Sequence, residues 1–369
     1  MPDSSFPRRG FMVASSALLA GLGRPGTGGA ALPSPVSLDA DLERLRLRYR
    51  LPGAAALVLR TGQTAARGVA GRRSTTATDR IHLQDPFLIG SCGKSMTATV
   101  VARLVQQGRL SFDSTLQDLF PELRLLMRQD YRTVSVADLL AHRGGILDVP
   151  LPPLGGGPAE RRALALPLIL ALPPQGTPGQ TYLYSNLGYI VVGAVLDRVS
   201  GIPFERLAAR ELFRPLGLGS AGFFAPTRSQ APRGHTAIGL PLPPNSPLYA
   251  PRAASPAGLF HLSLPDWAKY ARLHLGLGPA GYLPPALLAR LHRPFAGPGE
   301  RYALGWHVAS TLAGPVLRHE GSEGYWSARI VLMPSLDYAI LMATNILSPG
   351  AVRAANELET LLLRRFPPR

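Results

Sequence analysis

Two residues with complementary chemistry stand three positions apart in the first third of the chain. Ser91 carries a hydroxyl, and Lys94 carries an amine that can take the hydroxyl proton if its surroundings keep it neutral. Residues 91–107 have the pattern of a helix closed by Gly108, and positions i and i+3 of a helix share a face. The spacing predicts a nucleophilic serine beside its base; the structural alternative is a capping serine followed by a surface lysine.

The rarity of lysine supports the chemical interpretation. Of the 39 Lys and Arg residues in the chain, only Lys94 and Lys269 are lysine. Arginine does not give up its proton in a protein, so a chain that uses arginine almost everywhere needs an exception at a proton-transfer position. We interpret Lys94 as that exception.

A second candidate site is Tyr184-Ser185-Asn186, directly before a predicted helix over residues 187–200. A tyrosine beside a cationic amine ionises more readily, which makes Tyr184 a candidate general base. The amide of Asn186 can orient both the lysine and a substrate carbonyl. The alternative is an ordinary helix start, because Ser and Asn are frequent N-cap residues.

A third candidate site is His319-Glu320-Gly321-Ser322, which stands ahead of a β-like run. Gly321 has no side chain, so a substrate can lie close to the backbone there. The backbone N–H of Ser322 can complete an oxyanion hole with that of Ser91. The alternative for His319 is a structural role in the core.

In this order, the three motifs resemble those of the serine hydrolases related to class C β-lactamases, D-alanyl-D-alanine carboxypeptidases and β-lactamase-like esterases. The resemblance covers about residues 40–365. Further landmarks of the same family stand in order along the chain: Leu51-Pro52-Gly53-Ala54-Ala55, Phe87-Leu88-Ile89-Gly90, Asp138-Leu139-Leu140-Ala141-His142 with Gly144-Gly145, Gly188-Tyr189, Pro215-Leu216-Gly217-Leu218, Pro256-Ala257-Gly258 and Leu304-Gly305-Trp306.

The resemblance implies a role for each site residue. Ser91 is the residue that becomes acylated, and Lys94 and Tyr184 share the proton transfers, with Tyr184 preferred as the base. Asn186 holds the substrate. His319 takes the place of the lysine that class C β-lactamases usually carry.

One position departs from the family pattern. The middle residue of the third motif is often threonine, whose hydroxyl helps to bind a substrate carboxylate, and here it is Glu320. An ionised glutamate only accepts hydrogen bonds and repels a carboxylate. This leads to the hypothesis that the enzyme prefers a neutral ester or amide, or a substrate with an amine, unless Glu320 points away from the substrate.

The periodicity of the chain predicts an α+β fold. Short apolar runs at 54–59 and 65–70 flank Gly62, and further β-like runs occupy 302–308, 327–333 and 338–344. Helical spacing covers 40–49, with Asp39 as its N-cap, and 351–365. We therefore expect an antiparallel sheet built from both chain ends (about 38–108 and 300–369), flanked by helices, with a mostly helical region over about 109–299. The resemblance implies the same β-lactamase and penicillin-binding-protein-like fold.

The first 31 residues have the features of an export signal. Arg8 and Arg9 precede an apolar stretch over 11–22 and a zone of small residues, which resembles a twin-arginine-type signal peptide. We expect residues 32–369 to form the mature, periplasmic or extracellular protein. No later apolar run is long enough to span a membrane.

The charge and the motifs of the chain limit the classes of binding partner that the sequence predicts. The net charge of +16 comes almost entirely from arginine, without a basic run or a nucleic-acid motif, so we expect no nucleic-acid partner. No metal or cofactor site is predicted: the sequence after His319-Glu320 lacks the second histidine of a zinc protease. The expected partner is a small-molecule or peptidoglycan-type substrate, and the oligomeric state stays open.

Two other functional classes compete with this prediction. An α/β-hydrolase needs Gly-x-Ser-x-Gly, and position 89 is isoleucine, which excludes Ser91 from that motif. A catalytically silent cell-envelope binding protein on the same scaffold remains as the rival to an enzyme. Within the enzyme class, D-alanyl-D-alanine carboxypeptidase or β-lactamase activity is the alternative to an esterase or amidase.

Cys92 is expected to be a small buried residue rather than a second nucleophile.

Overall fold

A computed structural model describes residues 34–228, 230–295 and 301–368. Elements are numbered in chain order. The main sheet has seven strands in the order β1-β3-β2-β10-β9-β8-β7. Its strands are β1 (Val36–Ser37), β2 (Gly53–Arg60), β3 (Gln63–Gly71), β7 (His307–Thr311), β8 (Gly314–Ser322), β9 (Ser327–Met333) and β10 (Tyr338–Thr344). All neighbours pair antiparallel except the short edge strand β1, which runs parallel to β3.

Strand β2 shows why both chain ends build one sheet. Its residues are buried on both faces over 53–59, which is the pattern of a central strand rather than an edge strand. A tight turn at Thr61 and Gly62, both with positive φ, joins β2 to β3. On its other side, β2 pairs with β10 from the far end of the chain. The predicted α+β fold with an antiparallel sheet from both termini is confirmed.

Helices α1 (Asp39–Tyr49) and α11 (Pro349–Arg365) cover one face of the sheet. Leu42 and Leu45 of α1 and Leu358 of α11 follow helical spacing and pack into an apolar layer against the strands. The predicted N-cap Asp39 is instead the first residue of α1, and its carboxylate accepts the backbone N–H of Val69 at 2.7 Å. This side chain therefore ties the helix to the neighbouring β3 strand.

The opposite face of the sheet packs on a larger core formed by the middle of the chain. Its helices are α2 (Gly93–Gln106), α3 (Leu116–Leu119), α4 (Val136–Leu140), α5 (Pro158–Ala171), α6 (Asn186–Ser200), α7 (Phe204–Ala208), α8 (Ser255–Gly258), α9 (Leu264–His274) and α10 (Pro285–His292). Three short strands form a second sheet in the order β4 (Phe87–Leu88), β6 (Phe260–Leu262) and β5 (Gly222–Phe223). The middle region is therefore not purely helical, and α9 packs against β2 and β10.

Two predicted strand positions need correction. The run over 302–308 becomes a strand only from His307, because Gly305 at φ +84° interrupts the chain and Tyr302 forms only an isolated bridge. The residues from Gly314 to Ser322 form strand β8, so the third candidate motif lies on a strand rather than ahead of one. The signal segment, residues 1–31, lies outside the described residues.

Within the described residues, no single helix has both the length and the apolarity that spanning a membrane requires. The helix over Asn186–Ser200 and the one over Phe204–Phe213 pass such a test only as a pair, and they are bent by 75° relative to each other.

Candidate active site

Ser91 lies in a single 3-10 turn, Gly90–Cys92, that joins β4 to α2. Gly90 has a φ of +52°, and a Cβ atom at this position would lie 2.3 Å from the backbone nitrogen of Ser322. Both the conformation and the space therefore require glycine before the serine. The predicted helix begins two residues later than expected, at Gly93, because Ser91 and Cys92 belong to this 3-10 turn.

Cys92 follows the serine but points into the core. Its side chain is fully buried, and its Sγ atom donates to the carbonyl oxygen of His319 at 3.3 Å. Burial also raises the pKa of the thiol, which keeps it protonated. The burial expected for Cys92 is confirmed.

The amine of Lys94 is completely buried one helical turn after Ser91. Its Nζ atom lies 3.1 Å from Oγ of Ser91, 2.8 Å from Oδ1 of Asn186 and 2.7 Å from the carbonyl oxygen of Ala257. Burial lowers the pKa of Lys94 to about 7, against an opposing effect of the negative charge of Asp148. A substantial fraction of neutral amine is therefore present at neutral pH.

The contacts around Nζ determine which way the lone pair of the neutral amine points. A neutral amine has two N–H groups and one lone pair. The oxygens of Asn186 and Ala257 can only accept hydrogen bonds in this arrangement, so they take the two N–H groups. The lone pair is then left facing the hydroxyl of Ser91. This is the arrangement that a proton acceptor for the serine requires.

Tyr184 lies on the other side of the amine. Its ring centroid is 4.8 Å from Nζ of Lys94, and the Ser91 side chain acts on the Tyr184 hydroxyl so as to lower its pKa. Burial raises the pKa of Tyr184 well above its ordinary value. Desolvation disfavours the ionised phenolate, so this shift runs against the expectation that Tyr184 is the preferred base, which stays a prediction. In the resting site, Lys94 is the better acceptor and Tyr184 the better donor.

Asn186 is the first residue of α6, and Ser185 caps that helix by accepting the N–H of Gly188 at 2.9 Å. The capping role that the Ser-Asn pair suggested and the chemical role of Asn186 therefore occur together. The cap fixes the start of the helix, and this start carries the Asn186 amide to within reach of Lys94.

His319 is buried at the end of β8, and both its ring nitrogens are engaged. Nδ1 lies 2.6 Å from the carbonyl oxygen of Glu320, which can only accept, so Nδ1 carries the hydrogen. Nε2 therefore accepts from the hydroxyl of Tyr302 at 2.8 Å. Burial lowers the pKa of His319 well below its ordinary value, with Lys94 acting in the same direction, so the ring is neutral.

Gly321 brings strand β8 against the serine turn. A Cβ atom at Gly321 would lie 1.9 Å from the carbonyl oxygen of Ile89, a distance that no side chain can satisfy. The adjacent backbone nitrogen of Ser322 is the atom that approaches Gly90. The N–H groups of Ser91 and Ser322 thus stand on neighbouring segments, as an oxyanion hole requires.

The sequence model of the Beta-lactamase family matches residues 38–364, a range that contains every one of these site residues. The chain belongs to the Beta-lactamase family. As a member, it is a serine hydrolase in the general sense of that family, with the fold of class C β-lactamases and D-alanine carboxypeptidases.

Individual relatives of this Beta-lactamase family member agree with the assignment. Penicillin-binding protein 4 of Amycolatopsis lactamdurans is 27% identical over 82% of this chain and 83% of its own length. The crystal structure of SurE superposes with a TM-score of 0.74 at 26% identity, covering 89% of this chain and 74% of SurE. A class C β-lactamase from Rhodobacter sphaeroides superposes with a TM-score of 0.73 at 21% identity, covering 88% and 98% of the two chains. The last comparison concerns the fold alone.

Glu320 does not face this family site. Successive residues of a strand point to opposite faces, and Glu320 lies across from Arg329 on β9. Its carboxylate pairs with the Arg329 guanidinium at 2.7 Å, which in turn contacts Glu359 of α11 at 2.7 Å. The side chain therefore lies on the α1 and α11 side of the sheet, whereas His319 and Gly321 face the serine. The predicted substrate-binding role of Glu320, and the carboxylate repulsion inferred from it, are corrected.

Three further residues near the site have no role predicted from the sequence, although His142 belongs to one of the family landmarks. Asp148 contacts the start of α6, Tyr302 binds His319, and His142 stacks on the Tyr184 ring with 4.1 Å between centroids. The Nδ1 atom of His142 accepts the N–H of Ser185 at 3.0 Å. Local spacing gives no site role to these residues, because each reaches the site from a distant part of the chain.

The chemistry of the site rests on these side chains and backbone groups. In the part of the chain that the structure describes, no group of three or more His, Cys, Asp or Glu side chains is placed to hold a metal ion.

Proposed function

We propose that this protein hydrolyses an ester or amide through an acyl-enzyme formed on Ser91. The observation that carries the proposal is the contact set of Lys94, whose two carbonyl partners leave its lone pair toward the Ser91 hydroxyl. A pKa of about 7 for this amine supplies the neutral form at neutral pH. A silent binding protein has no need for a buried lysine held in this way.

The acylation step follows from the contacts. The Ser91 hydroxyl gives its proton to Nζ of Lys94 while Oγ attacks the substrate carbonyl carbon. The backbone N–H groups of Ser91 and Ser322 hold the negative charge that develops on the carbonyl oxygen. Tyr184, which is protonated, donates its proton to the leaving group and regains one from Lys94. Water then attacks the acyl-serine, with the proton transfers reversed.

The preferred substrate is one without a carboxylate beside the reacting bond. Class C β-lactamases, which this chain resembles, usually carry a lysine where His319 stands, and a lysine can attract a carboxylate. Here His319 is neutral and both its nitrogens are occupied. This residue therefore supplies no positive charge, and the preference for a neutral substrate rests on His319 rather than on Glu320.

Two alternatives to this function remain, and the first has specific support. A relative of this chain bears the name penicillin-binding protein, which favours D-alanyl-D-alanine carboxypeptidase or β-lactamase activity. The silent cell-envelope binding protein is the second alternative.

We also propose that the protein is exported through its twin-arginine-type signal and acts in the periplasm or outside the cell. Its proposed partner is a small-molecule or peptidoglycan-type substrate, and we propose no nucleic-acid partner.

Active-site labelling tests the proposal. The mature protein is treated with a fluorophosphonate and, separately, with a fluorescent penicillin, beside the variants Ser91→Ala and Lys94→Ala. We expect labelling by the fluorophosphonate that both substitutions abolish or strongly slow. Absence of Ser91-dependent labelling by either probe would support the binding protein.

Turnover assays separate the enzyme classes. Short-chain p-nitrophenyl esters should be hydrolysed faster than nitrocefin or a D-alanyl-D-alanine peptide. The opposite order would contradict the neutral-substrate proposal while leaving the acyl-enzyme intact.

A further inference from the structure

Asp148 lies in the irregular segment between α4 and α5, and its carboxylate reaches the start of α6. Its Oδ1 atom accepts from Oγ of Ser185 at 3.0 Å and from the backbone N–H of Leu187 at 2.8 Å. Its Oδ2 atom accepts from the backbone N–H of Asn186 at 2.9 Å and from Nδ2 of the same residue at 2.8 Å. All four acceptor positions of the carboxylate are occupied by this one segment.

These contacts decide which way the Asn186 amide points. A carboxylate only accepts hydrogen bonds, so the NH₂ group of Asn186 must face Asp148 and the carbonyl oxygen must face away from it. The carbonyl oxygen then meets Nζ of Lys94 at 2.8 Å. With the amide reversed, two acceptors would face each other on one side and the amide NH₂ would face the amine on the other.

The orientation of the amide matters for the direction of the amine lone pair. With Oδ1 facing Lys94, the amine donates one N–H to it and the other to the carbonyl oxygen of Ala257. Without that acceptor, the amine is free to rotate an N–H toward Oγ of Ser91, and the serine then faces a donor instead of the lone pair.

We propose that Asp148 is a positioning residue of the acylation step, which acts through the Asn186 amide to keep the lone pair of Lys94 directed at Ser91. The proposal deepens the function proposed above and rests on it. It assigns no substrate contact to Asp148, since its oxygens are fully occupied within the protein.

Asp148 also contributes a negative charge near the amine, and other groups surround the same nitrogen. The aromatic rings of Tyr184 and Tyr189 lie 4.8 and 5.2 Å from Nζ at their centroids. The titratable or charged groups that interact electrostatically with Lys94 are Asp148, Cys92, His142 and His319. The thiol and the two histidines are buried and neutral, so Asp148 is the charge whose removal should move the titration of Lys94, toward lower pH.

A double-mutant cycle tests the positioning role. The rate of Ser91 labelling by a fluorophosphonate is compared in the wild type, Asp148→Asn, Asn186→Ala and the double variant. If Asp148 acts through Asn186, Asp148→Asn alone slows labelling by about 10- to 100-fold, and most of this slowing is lost when Asn186 is already alanine. The rates are compared at a pH above the Lys94 midpoint of every variant, where the Asp148 charge no longer changes the fraction of neutral amine. Wild-type labelling by Asp148→Asn, or slowing of equal size in both backgrounds, would overturn the proposal.

A second readout is independent of catalysis, because the chain has only two lysines. NMR of protein labelled with 13C at lysine Cε should show two resonances, and the variant Lys269→Arg identifies that of Lys94. In Asp148→Asn the Lys94 midpoint should fall, while the Lys269 signal, paired with Asp266 at 2.6 Å, serves as the internal reference.

The two experiments separate failure of the proposal from failure of the proposed function. If the wild type is not labelled at Ser91, the acyl-enzyme proposal fails, and the NMR titration still reports whether Asp148 controls Lys94. An unchanged Lys94 midpoint in folded Asp148→Asn would count against Asp148 whatever the labelling shows. Thermal melting of each variant establishes that it is folded.

Discussion

The Nζ atom of Lys94 lies 3.1 Å from the Oγ atom of Ser91, within a site where the amine is fully buried. This contact makes the reactivity of the serine depend on the ionisation of the lysine. Several measurable properties of the protein should follow from that dependence and from the packing that creates it.

The pH dependence of acylation should report Lys94. Its pKa is lowered to about 7 by burial, so the neutral amine that accepts the serine proton is present above that pH and is lost below it. The ester kcat/KM should therefore rise with pH by about tenfold per unit below the midpoint and level off above it. A profile without this acid limb would exclude Lys94 as the acceptor.

Lys94→Arg provides the matched substitution. The guanidinium keeps a positive charge at every accessible pH, so the variant should lose about 10²- to 10⁴-fold in kcat/KM at all pH values. Retained activity with an unchanged profile would contradict the role of the neutral amine.

Tyr184→Phe should affect substrates according to their leaving groups. The raised pKa of Tyr184 keeps the phenol protonated, so it serves as a proton donor. An alkyl ester or amide needs that proton, whereas a p-nitrophenyl ester releases a stable anion. We expect a loss of about 10²-fold or more with the first class and a much smaller loss with the second. Equal losses with both would argue that Tyr184 acts on the serine alone.

Gly321→Ala should lower both the activity and the stability of the protein. Its Cβ atom would lie 1.9 Å from the carbonyl oxygen of Ile89, so strand β8 must move away from the serine turn. We expect at least a tenfold loss of activity and a destabilisation of about 1–3 kcal/mol by thermal or urea unfolding. Gly219→Ala is the control, since an added Cβ there meets no atom within 4 Å and Gly219 has an ordinary backbone conformation. It should match the wild type in both assays.

Glu320→Gln should leave substrate preference unchanged. The carboxylate is largely exposed and pairs with Arg329 on the sheet face away from the serine. Arg329 keeps its partner Glu359, so the loss in stability should stay below about 1 kcal/mol. A changed ratio of ester to nitrocefin turnover in this variant would show that Glu320 acts on the substrate after all.

Glu323, which follows the oxyanion segment, should make stability depend on pH. One carboxyl oxygen accepts the N–H of Ala250 at 2.6 Å, and the other is buried without a partner in the described part of the chain. Burial raises its pKa from 4.5 to about 7. Between these values the folded state holds a proton that the unfolded state has released, so the contribution of Glu323 to stability falls as pH rises through 7.

Glu323→Gln removes this titration while keeping the acceptor for Ala250. The variant should match the wild type near pH 4.5 and become more stable than it by on the order of 1–3 kcal/mol above pH 7. The measurement is a series of urea unfolding curves across this range. A stability difference that does not change with pH would refute the buried, unpaired carboxylate.

Regular elements of the fold were accessible from sequence where a single pattern dominated. The bounds of β9 and β10 coincide with the predicted runs at 327–333 and 338–344, because both are interior strands of the sheet with mostly apolar sequence. The stretch over 302–306 is as apolar as a strand, but its backbone is not extended because it packs closely against the start of α2. A Cβ atom added at Gly305 would lie 2.7 Å from the Cα atom of Ser95, so only glycine fits there. The positive φ of Gly305 breaks the extended conformation.

The chemistry was less accessible than the residues that carry it. Spacing predicts that Ser91 and Lys94 share a face, and the structure places them in contact, but spacing does not reveal how deeply each group is buried. Desolvation lowers the pKa of Lys94 and raises that of Tyr184, and for this reason we propose Lys94 rather than Tyr184 as the base. The orientation of Glu320 follows from the alternation of side chains along β8, but the sequence pattern over 314–322 does not predict this strand.

The pairing of β2 with β10 joins residues 54–60 to residues 338–344, which lie far apart in sequence. Such long-range pairing makes folding slow, because much of the chain must be ordered before the central strands meet. The serine turn likewise waits for Gly321, which arrives more than two hundred residues later. A chain still emerging from the ribosome therefore carries Ser91 and Lys94 long before it can assemble the site around them, which needs the strand that holds Gly321.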